Sequence, residues 1–175
     1  MGQTIEQWLL CLKHYLLMCA FLSSPERLPY NPFCTLISFF AYLLVGLLLA
    51  DEQRGMAAVS AQILLEIIML ALIAYAGLHW KKSLKRFPQT LSALIGINML
   101  ISAASIPLYR LVSSGGENTG DTSTLLVYTT LLIVIWNLAV LSLIFKRAFA
   151  ISTQLSAIIS FNYFVVYQFV VIWFF

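Results

Sequence analysis

The sequence has little charge: Asp, Glu, Lys and Arg make up 10% of its 175 residues, whereas 61% of the residues are hydrophobic. A soluble domain carries about a quarter charged residues, so this chain has too little polar surface to cover a globule in water. The composition therefore indicates a protein whose solvent is lipid. The net charge of +3 is too small to indicate a nucleic-acid partner.

The sequence also lacks the motifs of common catalytic and nucleotide-binding sites. It contains no His-Glu-x-x-His pair, no Gly-x-Ser-x-Gly elbow and no phosphate-binding glycine loop. Its three cysteines, Cys11, Cys19 and Cys34, follow no zinc or haem-attachment spacing, and their odd number argues against a disulfide framework. We therefore predict a protein that is not an enzyme, with no catalytic residues, no metal and no cofactor.

Long apolar runs are what the chain has instead. A membrane-spanning helix needs about 20 mostly apolar residues. Five segments meet that requirement: residues 33–50, 57–79, 91–109, 124–145 and 150–175. Short polar connections separate them, and we place a tight turn at Lys146-Arg147 between the last two. The pattern predicts an all-α fold, a polytopic transmembrane helix bundle of about five spans formed by residues 33–175.

Residues 1–32 precede the first span and combine an amphipathic segment with a proline-rich connection. Residues 5–22 are apolar apart from a narrow polar stripe that includes Glu6, Lys13 and His14. This pattern predicts an interfacial helix that lies in the headgroup region of the membrane. A sixth span is the alternative, at the cost of burying those three side chains in lipid.

Basic residues indicate the orientation, because short loops rich in lysine and arginine stay in the cytoplasm. With a cytoplasmic N-terminus, eight of the ten basic residues are cytoplasmic, and only Arg54 and Arg110 are external. Four of the eight form a cytoplasmic basic loop: Lys81, Lys82, Lys85 and Arg86. An attraction to anionic lipid is a second interpretation of this loop. We predict a multi-pass protein of a bacterial inner membrane, with a cytoplasmic N-terminus and an external C-terminus.

Glu66 is a carboxyl group well inside the second predicted span. An ionisable side chain at depth costs at least about 2.5 kcal/mol, so it should face other helices or water. Gln62 lies one helical turn earlier on the same face. Asn98, Asn137 and Asn162 lie at similar depth in the next three spans. Together these five residues predict an intramembrane polar layer.

Stripes of small and polar residues accompany this layer. Span three carries Asn98, Ser102, Ser105 and Tyr109, and span five carries Thr153, Ser156, Ser160, Tyr163 and Tyr167. Hydrogen bonds that join helices are the plainer interpretation of such stripes. A proton or ion relay at Glu66, or a polar groove for a lipid headgroup, is the sharper one.

Two histidines raise haem ligation as a further interpretation. His14 and His79 both fall near the expected cytoplasmic face. His79 precedes Trp80 and two lysines, however, and this arrangement is typical of residues at the membrane interface. A haem anchor would show a visible absorption band that is lost in His79→Ala.

The order of features resembles the Yip-domain family of membrane proteins. The matching pieces are Ser24-Pro25 leading through Pro29 and Pro32 into span one, the entry Phe87-Pro88-Gln89-Thr90-Leu91 into the third helix, and Ile106-Pro107-Leu108 near its end. The resemblance covers the five spans. It implies five spans with a cytoplasmic N-terminus, roles in membrane organisation, trafficking or partner binding, and no catalytic residues.

The sequence thus favours a non-enzymatic membrane protein that acts as an accessory or assembly subunit of a membrane complex, or as a homo-oligomeric membrane-organising protein. Its expected partners are membrane lipids and either another membrane subunit or a second copy of itself. The alternative is a small lipid or solute transporter that uses Glu66 and the asparagine layer. Glu66→Gln separates the two, because an accessory subunit tolerates the amide and a proton-coupled transporter does not.

Overall fold

The structure is a computed structural model that describes residues 2–29, 31–49, 55–113 and 120–174. Six α-helices make up most of this part: α1 Gly2–Cys19, α2 Pro32–Leu48, α3 Met56–Trp80, α4 Phe87–Ser113, α5 Gly120–Phe149 and α6 Thr153–Phe174. Short 3-10 helices at Pro25–Arg27 and Leu84–Arg86 precede α2 and α4. The predicted all-α bundle is confirmed.

Four of these helices, α3 to α6, are long and apolar enough to cross a membrane. The remaining predicted span corresponds to α2, an apolar helix of 17 residues. At 1.5 Å per residue α2 extends over about 26 Å, which is near the lower limit for a span. Within the described residues, the prediction of about five spans thus corresponds to four long helices and one shorter one.

Local chemistry sets where α2 begins. Asn31 caps the helix, and its side-chain oxygen accepts a hydrogen bond from the backbone N–H of Phe33 at 2.9 Å. Pro32 occupies the first helical position, where its missing N–H costs nothing and its fixed φ suits the helix. The proline-rich connection therefore ends in a defined helix start.

The connection between α5 and α6 differs from the prediction. The tight turn predicted at Lys146-Arg147 is wrong, because α5 continues through both residues to Phe149. Cations in the last turn of a helix interact favourably with its macrodipole, so a basic pair there supports the helix rather than ending it. The chain reverses at Ala150, whose φ of 49° is left-handed.

The centre of the bundle is α4, which contacts α1, α2, α3 and α5. Within its most apolar stretch 56% of the residues are buried, against 17% in the corresponding stretches of α3, α5 and α6. The outer helices therefore present most of their apolar surface outward, as expected for helices surrounded by lipid.

The N-terminal helix α1 packs against the bundle along one face. Cys11, Tyr15 and Met18 are fully buried. The hydroxyl of Tyr15 lies 2.7 Å from that of Ser92 in α4 and 3.3 Å from that of Ser38 in α2. The opposite face carries exposed side chains that include Leu9, Leu10, Lys13 and Leu16. The predicted helix is confirmed, whereas its close packing against α2 and α4 was not predicted.

One end of the bundle collects the positive charge, and we call it the basic end. It is defined by Arg27, Lys81, Lys82, Lys85, Arg86, Lys146 and Arg147, which lie near the starts of α2 and α4 and the ends of α3 and α5. The two basic residues expected at the other end, Arg54 and the side chain of Arg110, lie outside the described part of the chain.

The connection between α1 and α2 is fastened to the basic end. Glu26 forms an ion pair with Arg86 at 2.6 Å. The side-chain amide of Gln89 donates a hydrogen bond to the carbonyl of Leu28 at 2.9 Å. These contacts connect the chain before α2 to the beginning of α4.

Candidate functional site: an intramembrane polar pocket

A pocket of about 200 Å³ lies between α3, α4, α5 and α6. Its polar lining consists of Glu66, Ser102, Ser105, Asn137, Tyr163 and Tyr167. Apolar side chains such as Ile101 and Leu141 complete the wall. Glu66 lies about 15 Å from the start of α3 and about 21 Å from its end. The polar groups therefore meet near the middle of the spans.

Tyr42 of α2 holds the carboxyl group of Glu66. The Tyr42 hydroxyl donates a hydrogen bond to Glu66 Oε2, with 2.5 Å between the oxygens. Tyr42 is buried, whereas Glu66 also lines the pocket. The carboxyl group is thus fixed by one partner and still within reach of a molecule in the pocket.

Two tyrosines of α6 form the opposite wall. The rings of Tyr163 and Tyr167 stack with their centroids 6.1 Å apart. The Tyr167 hydroxyl accepts a hydrogen bond from the Gln62 amide at 3.3 Å. Within the described residues, the buried hydroxyl of Tyr163 finds no partner. A buried polar group without a partner costs about 1–3 kcal/mol, so a water or a ligand that bonds to this hydroxyl would be stabilised in the pocket.

Asn137 connects the pocket to the central helix. Its side-chain amide donates a hydrogen bond to the Asn98 side-chain oxygen at 3.2 Å. The Asn98 amide nitrogen is itself buried and lacks a partner among the described residues. Glu66, Gln62, Asn98 and Asn137 therefore gather around one pocket, as members of the predicted polar layer.

Asn162 lies apart from this group. It is exposed on α6 and lines a separate apolar groove with Met69 and Val166. The buried face of α6 runs through Ser156, Ser160 and Tyr163. Because successive residues of a helix point about 100° apart, the neighbour of Tyr163 faces outward.

The predicted stripes supply much of the lining. Ser102 and Ser105 of the α4 stripe and Tyr163 and Tyr167 of the α6 stripe face the pocket. The side chain of Tyr109 lies outside the described part of the chain. Sequence reasoning missed Tyr42, although a signal existed: Ser38 and Tyr42 are four residues apart on one face of an otherwise apolar helix.

The basic loop takes no part in the pocket. Lys81, Lys82 and Lys85 are exposed, and Arg86 is half of the ion pair with Glu26. Lys81 follows Glu66 by about 22 Å along the helix axis. The charges of this loop therefore act at the membrane surface. They are too far from Glu66 to form an ion pair with it.

The lining restricts the chemistry of an occupant. The pocket offers one carboxyl group, several hydroxyls, an amide and the faces of aromatic rings. In the described ranges, no three His, Cys, Asp or Glu side chains come together in a way that would hold a metal ion. The arrangement suits a proton, a small cation or a hydrogen-bonding molecule.

An all-helical bundle with four long apolar helices around a polar pocket defines an integral membrane protein. Comparison of the chain with family models, with curated proteins and with solved structures found no match. The Yip-domain resemblance therefore stays a prediction.

Proposed function

We propose that this membrane protein is a small-solute transporter that binds a cation in the pocket beside Glu66. One observation carries the proposal: the carboxyl group of Glu66 and the unpartnered, buried hydroxyl of Tyr163 line the same pocket. Buried polar groups in a pocket that serves only to pack helices are normally paired, and the Tyr163 hydroxyl is not paired with any described residue.

The lining favours a small organic cation as the occupant. Glu66 is the one acidic residue among those that line the pocket, and no basic residue lines it. The rings of Tyr163, Phe164 and Tyr167 add faces that attract a cation. An engineered cavity of about 150 Å³ takes up benzene. A pocket of about 200 Å³ is therefore large enough for a small protonated amine.

The position of Glu66 links cation binding to proton movement. A neutral carboxylic acid is the form that the membrane interior tolerates best. A bound cation instead stabilises the carboxylate, as an opposite charge nearby does. Entry of the cation therefore releases a proton from Glu66, and this exchange is the coupling step of the proposed transporter.

Thermal unfolding of the purified protein in detergent tests binding. Ethylammonium and tetramethylammonium should raise the unfolding midpoint, and acetate at the same ionic strength should not. A ligand at 100 times its Kd stabilises by about 2.7 kcal/mol. Glu66→Gln should abolish the shift, and Glu6→Gln, an exposed carboxyl on α1, should keep it. An equal rise of the unfolding midpoint in Glu66→Gln would contradict the proposal.

Movement of the solute needs a separate measurement. In proteoliposomes that contain the pH dye pyranine, an inward gradient of tetramethylammonium chloride should raise the internal pH as protons leave in exchange. Vesicles with Glu66→Gln should show the signal of empty vesicles. Binding without any change in the internal pH would contradict proton-coupled transport and leave solute binding as the function.

Asn162 favours a second function, that of a homo-oligomeric membrane-organising protein. Its amide is exposed on α6 about 14 Å from the start of that helix, where lipid offers no hydrogen bond. An amide both donates and accepts, so the same side chain of a second copy is a matching partner. Exposed Phe161 and Phe169 extend this face.

Native mass spectrometry in mild detergent tests the second function. The wild type should form a dimer that Asn162→Leu weakens, whereas Gln154→Leu in the first turn of α6 should leave it intact. A stoichiometric second protein retained from the native membrane would support the role of an accessory subunit instead. A monomer in all three proteins would contradict self-association through Asn162.

A further inference from the structure

A second pocket, of about 490 Å³, lies at the basic end. It forms where the connection between α1 and α2 meets the connection between α5 and α6. Its lining includes Leu22, Ser24, Arg27, Lys146, Arg147 and Ile151. Of the eight lining residues three are cationic and one, Glu26, is acidic, so the pocket differs in character from the pocket beside Glu66.

The charge of this pocket is not cancelled by its own carboxyl group. Glu26 also lines the pocket, but it pairs with Arg86 at 2.6 Å, and Arg86 is not among the lining residues. Arg27, Lys146 and Arg147 therefore leave a net positive charge. An attraction for an anion follows, and it is strongest where the surrounding dielectric is low.

Arg147 is held in place at the pocket. Its guanidinium donates a hydrogen bond to the backbone carbonyl of Ser23, a buried residue of the α1–α2 connection. A guanidinium has five N–H donors in a rigid fork. One contact with Ser23 therefore positions the group and leaves further donors for a ligand. Forked donors of this kind match the geometry of phosphate oxygens.

The pocket lies at the level of lipid headgroups. Lys146 and Arg147 belong to the last turn of α5, at the end of the apolar span Val127–Phe149. Leu22, which lines the pocket with them, has 71% of its surface exposed, and its neighbour Phe21 has 44% exposed. A cationic pocket next to exposed apolar side chains matches a molecule with an anionic head and an acyl tail.

We propose that this pocket binds a phosphate group, supplied by the headgroup of one anionic lipid. Arg27 and Lys146 attract the phosphate, and Arg147 orients it through its remaining N–H groups. Basic pockets between transmembrane helices bind anionic headgroups by the same physics. This site does not depend on the transport proposal, since it shares no residue with the pocket beside Glu66.

Native mass spectrometry of the full chain tests the site. Dioleoylphosphatidylglycerol should add to the wild type at one equivalent and at least tenfold more tightly than zwitterionic dioleoylphosphatidylcholine. The double variant Arg27→Gln/Lys146→Gln should lose that preference. The matched control Lys81→Gln/Lys82→Gln removes two charges from the basic end outside the pocket and should keep it. Equal losses in both variants would overturn the site in favour of general surface charge.

Two further measurements test whether the phosphate comes from a lipid and whether a variant loses binding only because it misfolds. Inorganic phosphate that stabilises the protein without any lipid adduct would overturn the lipid source and leave a free anion as the ligand. Arg27→Lys/Lys146→Arg keeps the charge and should keep the adduct. If the Gln variant does not fold, the salt dependence of lipid binding to the wild type tests the proposal instead. The lipid adduct should weaken as ionic strength rises. An adduct that is insensitive to salt would contradict the proposal.

Discussion

The hydrogen bond between Tyr42 and Glu66 gives the shortest apolar helix a defined place in the bundle. Tyr42 lies on α2, whereas Glu66 lies on α3 and reaches the pocket. Hydrogen bonds between side chains in membranes contribute about 0.6 kcal/mol on average and up to about 1.7 kcal/mol. One such bond stabilises α2 only modestly, but it also fixes the direction in which the carboxyl group points.

Tyr42→Phe removes this donor and keeps the ring. We expect the free energy of unfolding to fall by about 1 kcal/mol, because the carboxyl group loses a buried partner. Ethylammonium binding should weaken as well, because Glu66 is then free to turn. Unfolding in a titration with sodium dodecyl sulfate measures the first effect. Tyr75→Phe, which removes a half-exposed hydroxyl from α3, is the control and should change neither quantity.

Because Cys11 is buried, we expect the free energy of unfolding to fall at alkaline pH. Burial, and then the neighbouring thiol of Cys34, raises the pKa of Cys11 from 9.0 to about 12. The folded state therefore holds this proton more tightly than the unfolded state. The stabilisation is fully present below pH 9.0 and is lost as the pH rises toward about 12.

Cys11→Ala should flatten that decline, because alanine keeps a small apolar group and has nothing to titrate. The measurement is the unfolding midpoint of both proteins across the alkaline range. Other groups titrate there too, so the difference between the two curves carries the test. Parallel curves would show that Cys11 does not contribute to the pH dependence.

At the scale of elements, the contact between α1 and α4 depends on Gly96. A Cβ at this position would lie 2.5 Å from the ring of Tyr15. That ring is buried, and its hydroxyl lies within hydrogen-bond distance of Ser38 and Ser92. Because the ring is fixed at its far end, it has little freedom to move away from an added methyl group.

Gly96→Ala should therefore lower stability by about 1–3 kcal/mol, the usual cost of overpacking. It should also loosen α1, seen as faster hydrogen exchange in residues 11–19. Gly55→Ala is the control, because nothing lies within 4 Å of an added Cβ there and its φ of −53° suits alanine. Equal effects of the two substitutions would contradict the role of the Tyr15 contact.

Hydropathy predicted the positions of the helices in the sequence better than it predicted which side of each helix faces the interior. Apolar runs marked the five spans to within a few residues, since lipid requires long apolar helices. The ends of α4 and α5 lie further out than predicted, because these helices continue past the apolar run into polar residues. Caps and basic last turns govern those ends.

Helix rotation was the part of the site that the sequence did not determine. Span five offered two polar faces, because Asn162 lies beside the stripe of Ser156, Ser160, Tyr163 and Tyr167 and not on it. The predictions included Tyr163 in the stripe and Asn162 in the polar layer, and packing against α5 turns the stripe inward and leaves Asn162 exposed. Glu66 and Asn137 were predictable because a carboxyl or amide at depth must turn toward other helices.

At the scale of the whole molecule, the charge asymmetry predicts an orientation that labelling is able to test. In a chain with its native cysteines replaced, Ser152→Cys lies at the basic end and Gly55→Cys at the opposite end, both exposed. A membrane-impermeant maleimide should label Gly55→Cys in intact cells and Ser152→Cys only in inverted vesicles. The reverse pattern would show that the positive-inside bias does not govern this protein.

The end of α1 and the connection that follows it contact residues that are synthesised much later. Trp136 donates a hydrogen bond to the carbonyl of Cys19 at 3.0 Å, and Arg147 binds the carbonyl of Ser23 across a separation of 124 residues. Ribosomes add about 5–20 residues per second, so roughly 6–25 s pass between the synthesis of Ser23 and that of Arg147. During that interval α1 and the connection after it lack the hydrogen bonds from Trp136 and Arg147. The contacts that fasten the end of α1 are thus completed only after α5 has been synthesised and has entered the membrane.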